Sequence, residues 1–241
     1  MSMDLVQKPG RLKSPILIPI AVYLLSFILP ALVMVIPAAI FHWNTSFTFS
    51  HSYLFGTLGQ LLMDLPAVIL FSRLQSKGES ETDARNKTRD RIVSASLGFG
   101  CALLLAILRI SLTGKLMGGR FMGEVPAFIQ SLGLIRPWNL LAAGMALLAY
   151  GPGEALFVVY LILAFDKAIG NPRPVFSSGV IITAVLWALP HVFNVVFYGI
   201  RALSNVVVML FIGMVMGVLL KKTRSALGPV VFWTLVNGTS A

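Results

Sequence analysis

Glu154 is the residue around which chemistry can be built in this chain. It stands in the stretch GPGEALFVVY, residues 151–160, inside an apolar run covering residues 138–165, directly after a glycine and proline cluster. An ionised carboxylate is costly to place in hydrocarbon, so it normally faces a protein interior or a wet cavity and marks a functional site. The plainer role is structural: an acid that ties two helices together, or one bonded to a backbone carbonyl. Two more polar residues can join it, His191 after Pro190 in the next apolar run and Asn237 in the last. Trp187 precedes His191 by four residues, and Trp233 stands in the same relation to Asn237. That spacing puts each pair on one helix face. A cavity holding Glu154, His191 and Asn237 can activate water. The glutamate takes a proton, the histidine orients the water, and the asparagine donates to the developing oxyanion.

A metal centre is not expected. One His, one Glu and one Asn fall short of the three good protein ligands usual at catalytic zinc. The chain has no HExxH, no CxxC and no Gly-rich phosphate loop. No serine or cysteine sits in an evident nucleophile context, which argues against a serine-type intramembrane protease, and the shortage of metal ligands leads to the expectation of a site without cofactor.

The elements that position these residues must lie in a membrane. Of 241 residues 57% are hydrophobic and 12% charged, with mean hydropathy +0.86, whereas soluble domains carry about 25% charged residues. Several apolar runs reach the roughly 18 residues needed to cross about 30 Å of hydrocarbon. The expected fold is all-α, a multi-pass transmembrane bundle of about seven to eight helices forming one integral membrane domain over residues 1–241. The net charge of +10 comes from basic residues lying mostly between apolar runs. Their natural partners are anionic lipid headgroups and not nucleic acid. The single cysteine, Cys101, forms no intrachain disulfide. The N-terminal MSMDLVQKPGRLK leads into a long apolar run without a small-residue cleavage pattern, which predicts a retained first helix.

Seven spans are expected, over residues 16–41, 54–71, 92–112, 138–165, 176–198, 203–220 and from 226 to the end. The first contains Pro30 and Pro37, the second Asp64 and Pro66, and the third Arg109 near its end. Gly213 and Gly217 give the sixth a small face for close helix contact. Residues 42–53 form an uncharged aromatic loop in which His42 and His51 are structural. Residues 73–91 read as a polar cytoplasmic loop, with one helical turn extending the third span. Within 113–137, the stretch FMGEVPAFIQSLGLI (121–135) reads as a short interfacial helix. NPRP at 171–174 stops the fourth span. A cytoplasmic N-terminus puts 73–91, Lys167 and the Lys221, Lys222, Arg224 cluster on the inner side, in accord with the positive-inside bias. At 1.5 Å per residue, Glu154, His191 and Asn237 lie about 20, 22 and 19 Å from the cytoplasmic ends of their spans, all at one depth.

Residues 141–239 resemble the CPBP (Abi) family, intramembrane endopeptidases related to the type II CAAX prenyl proteases. The family pattern is Glu-Glu-x-x-x-Arg, then Phe-x-x-x-His, then His-x-x-x-Asn. Here the first motif reads GEALFVVYL. Gly153 stands where the first Glu belongs, Glu154 is the second, Phe157 is kept, and Val158 replaces the Arg. Sliding by one residue makes Glu154 the first Glu and still leaves Val159 in place of Arg. The second motif survives as WALPH, with Trp187 for Phe and His191 kept. In the linking stretch Thr223 and Ser225 match the family's Thr-Gly-Ser-Leu turn, with Arg224 between them. The third motif reads WTLVN, with Trp233 for His and Asn237 kept.

The resemblance implies peptide-bond hydrolysis by glutamate-activated water, on a membrane-anchored or prenylated peptide or a membrane protein, in a prokaryotic cell membrane. It implies Glu154, His191 and Asn237 as catalytic residues, with Gly153, Phe157, Val158, Trp187 and Trp233 lining the cavity. Gly153, Val158 and Trp233 replace three polar groups of the pattern, which predicts weak or lost proteolysis. Loss of one oxyanion donor alone costs about 3–4 kcal/mol in hydrolases. Three readings stand: a peptidase with an altered site, a catalytically silent homologue that binds peptide or protein in the same cavity, and a small transporter with Glu154 as a relay. The chain shows no inverted repeat to favour the last.

Overall fold

The computed structural model describes residues 14–40, 49–75, 84–114, 138–170, 175–192, 195, 199–200 and 203–239. The expected interfacial helix at 121–135, the NPRP turn, His42 and the side chain of His51 lie outside the described residues. Within them every regular element is helical: α1 (Ser14–Ile40), α2 (Phe49–Gln75), α3 (Ala84–Thr113), α4 (Trp138–Leu148), α5 (Glu154–Ile169), α6 (Ser178–Ala188), α7 (Leu203–Thr223) and α8 (Leu227–Thr239). A π turn, Ala149–Gly153, joins α4 to α5 without a break.

By length and composition three stretches are apolar enough to cross a membrane: Thr88–Leu112, Ala143–Ile169 and Leu203–Thr223. Shorter apolar helices run over Ile16–Ile28, Thr57–Phe71, Ser178–Val192 and Leu227–Asn237. The chain is an all-α bundle of the kind that spans membranes.

Three boundaries differ from expectation. Residues 49–53, read as loop, form the first turn of α2, and α3 starts at Ala84, two turns before Ile92. Polar residues continue a helix out of hydrocarbon because intrahelical bonding does not depend on side-chain polarity. The fifth span is not one long helix: α6 ends at Ala188 and a 3-10 turn, Leu189–Val192, follows. Pro190 causes this, since it has no N–H to give to the carbonyl of Leu186 four residues back. That carbonyl is instead satisfied by the Tyr23 hydroxyl of α1, at 2.8 Å.

α5 is the central rod. Ala155, Phe157, Val158, Val159, Leu161 and Ile162 are all buried, as expected of a helix that is apolar on every side. α3 is its opposite, with Ile92, Leu104, Ile107 and Leu112 exposed on the periphery, where lipid tails are the natural solvent. With no hydrophobic drive between helices in lipid, close packing carries the assembly. A Cβ on Gly213 would lie 3.0 Å from the Ala184 Cα, and one on Gly217 would strike Val180. α7 therefore seats directly on α6.

One end of the bundle is tied by polar bonds. Asp166 near the end of α5 pairs with Lys221 of α7. It also accepts from Ser177 Oγ and from Gly179 N at the start of α6, each at 2.9 Å. Ser177 in turn caps α6 by accepting from Val180 N at 3.3 Å. At the same end Ser94 of α3 meets Thr223 at 2.8 Å and accepts from Gly228 N of α8 at 2.8 Å. The end bearing Lys167, Lys221 and Lys222 is thus shared by α3, α5, α6, α7 and α8.

Candidate active site

Glu154 enters the bundle through the π turn. Pro152 has no N–H and its ring crowds the preceding turn, so the backbone ladder slips by one residue. The Glu154 N–H reaches the carbonyl of Ala149, five residues back. The Tyr150 carbonyl accepts from Asn237 Nδ2 of α8 at 2.5 Å. π turns of this kind are frequent at functional sites because they aim a side chain off the helix register. Gly151 lets α8 come close: a Cβ there would lie 2.9 Å from the Thr234 hydroxyl.

The Glu154 side chain is only 7% exposed. Its Oε2 accepts from Trp233 Nε1 at 2.7 Å and from Asn237 Nδ2 at 3.2 Å. Trp233 and Asn237 lie one turn apart on α8 and converge on this one oxygen. Asn237 thereby uses both N–H groups of its amide, one on Glu154 and one on Tyr150.

Aromatic rings close the site. Trp187 of α6 meets Trp233 edge-on, with centroids 5.7 Å apart, and lies 6.4 Å from Phe157 of α5. The Trp187 indole Nε1 is buried and has no hydrogen-bond partner among the described residues. Val158 is fully buried in the apolar core. His191 lies four residues past Trp187, half-buried on the 3-10 turn.

A second carboxylate stands here that the sequence alone did not bring to the site. Asp64 of α2 is 2% exposed, and its Oδ2 occupies the space that a Cβ on Gly153 would take. It receives long bonds from Gln60 Nε2, at 3.3 and 3.5 Å, and interacts electrostatically with Glu154. Asp64 carried the same signal as Glu154, a carboxylate within an apolar run. What its sequence position could not reveal was that α2 packs against α5 and the π turn. Tyr150 was also missed, because a main-chain carbonyl has no sequence signature. Among the described residues, no three His, Cys, Asp or Glu side chains gather as a metal site would require.

Residues 136–239 match the family model described as Type II CAAX prenyl endopeptidase Rce1-like. No curated protein and no solved structure matches the chain. The matched stretch contains Glu154, Trp187, His191, Trp233 and Asn237. The CPBP (Abi), Rce1-like family assignment therefore holds for residues 136–239, the C-terminal part of the chain.

Proposed function

We infer that this protein is a slow intramembrane endopeptidase that hydrolyses peptide bonds of membrane-anchored peptides with carboxylate-activated water. The carrying observation is Glu154, buried in the bundle and fastened by Trp233 and Asn237 within the family-matched stretch. Two hydrogen bonds on one oxygen fix the carboxyl plane, so the group is preorganised before substrate arrives. His191, on the turn after Trp187, is assigned the orientation of the attacking water. Asn237 can stabilise an oxyanion only by leaving Tyr150 or Glu154, since both its N–H groups are engaged. That requirement, with Trp233 in place of a histidine, is the physical reason for slow turnover. The basic helix ends clustered at Lys167, Lys221 and Lys222 are assigned to the cytoplasmic face of a prokaryotic membrane, with the N-terminus inside.

The engaged amide of Asn237 also favours a second reading, in which the cavity binds a membrane-anchored peptide or membrane protein without cleaving it. The deciding experiment is cleavage of prenylated and membrane-anchored peptides by the purified protein in liposomes. Slow cleavage that disappears in Glu154→Gln and in His191→Ala is the expected result. Peptide binding without cleavage, followed by gain of cleavage in the Gly153→Glu, Val158→Arg, Trp233→His variant, establishes the silent reading instead. Glu154-dependent solute flux with neither binding nor cleavage would make the protein a transporter.

A further inference from the structure

We propose that Asp64 of α2 is the water-activating base of this site, replacing from another helix the carboxylate that Gly153 lacks; the inference rests on the endopeptidase reading. Three observations carry it. The first is position. A Cβ at 153 would strike Asp64 Oδ2 and crowd the Leu148 carbonyl at 2.8 Å, so Asp64 can stand here only because residue 153 is glycine. The glycine makes room for the aspartate, and the aspartate returns a carboxylate beside Glu154.

The second observation is the division of labour between the two acids. Glu154 Oε2 is held by two donors from a neighbouring helix, Trp233 at 2.7 Å and Asn237 at 3.2 Å. Among the described residues, Asp64 receives one amide donor, Gln60 Nε2 on its own helix, at 3.3 and 3.5 Å. A base must exchange one of its hydrogen bonds for a water proton, and long bonds are the cheaper ones to exchange. Glu154 is then the positioning acid and Asp64 the reacting one.

The third observation points to a ligand. The Trp187 indole N–H is buried without an acceptor among the described residues, in a ring that touches both Trp233 and Phe157. A buried donor without a partner is uncommon in folded proteins, and a substrate carbonyl would supply the acceptor. The step balances as follows. The Asp64 carboxylate takes one proton from water as the water oxygen bonds to the carbonyl carbon, and the carbonyl electron pair moves onto oxygen beside the Trp187 N–H. When that pair returns, the C–N bond breaks, and the proton on Asp64 passes to the departing nitrogen.

Cleavage of a membrane-anchored peptide in liposomes tests the assignment, with binding of the corresponding peptide aldehyde followed in parallel. Asp64→Asn, which keeps the shape of the side chain, should lower kcat at least about 100-fold with little change in KM. Asp64→Gly should be equally slow, and formate should restore cleavage about tenfold or more where chloride does not. A purely structural aspartate would not respond to formate. Full activity in Asp64→Asn while Glu154→Gln is dead overturns the role of Asp64 alone. Loss of activity in both Asp64 variants without formate rescue, when both still bind the aldehyde, also overturns it. A wild-type protein that neither cleaves nor binds overturns the endopeptidase reading, and this inference with it.

Discussion

Trp233 donates its indole N–H to Glu154 Oε2 at 2.7 Å, so the buried carboxylate of α5 is held in place from α8. An indole N–H donates a hydrogen bond but cannot exchange its proton as an imidazole can. The bond makes Trp233 a structural clamp as well as a wall of the site.

The clamp can be measured. Trp233→Phe keeps an aromatic ring against Trp187 and removes the donor. Removing one of the two donors on a buried carboxylate oxygen costs about 1–3 kcal/mol, so the variant should unfold earlier in detergent by that amount. Asn237→Ala in the same background should cost more than either change alone would suggest, because the two residues share one oxygen. Simple additivity would show that Trp233 and Asn237 hold Glu154 independently.

Tyr23 and Pro190 form a second testable pair. The Tyr23 hydroxyl serves the Leu186 carbonyl that Pro190 leaves without a donor. Tyr23→Phe should cost about 1 kcal/mol by orphaning that carbonyl. In the Pro190→Ala background, residue 190 regains an N–H, and the same Tyr23 change should cost less. An equal cost in both backgrounds, read from chemical denaturation in micelles, would mean the proline is not the cause.

Arg224 concerns the turn between α7 and α8. It has φ 53°, a left-handed conformation that glycine adopts without a Cβ penalty. A non-glycine residue there carries about 1–2 kcal/mol of strain, while glycine gains about 0.4–1 kcal/mol of unfolded-state entropy. Arg224→Gly should therefore stabilise the protein by a net of about 0.5–1 kcal/mol. A fall in thermal stability would show that the arginine side chain makes a compensating contact.

Much of the architecture was legible in the chain itself. Apolar run length announced the helices, since only a helix satisfies its backbone bonds without water. The isolated carboxylate at Glu154, the aromatic residues four positions before His191 and Asn237, and the Thr223 and Ser225 turn pointed to the stretch that the family model matches. These signals are local: each is a residue type at a fixed spacing along one helix.

Only the tertiary structure decided which groups meet. It put Asp64 against Gly153, a contact between α2 and the π turn that no spacing encodes, because rotation and register between helices follow from packing of small and large side chains. It engaged both N–H groups of Asn237 through a main-chain carbonyl that the slipped turn presents to α8. It also ended α6 at Ala188, ahead of Pro190, and left the Leu186 carbonyl to a hydroxyl on α1. The sequence determined that a buried acid exists at Glu154; the helix packing determined that a second acid stands beside it.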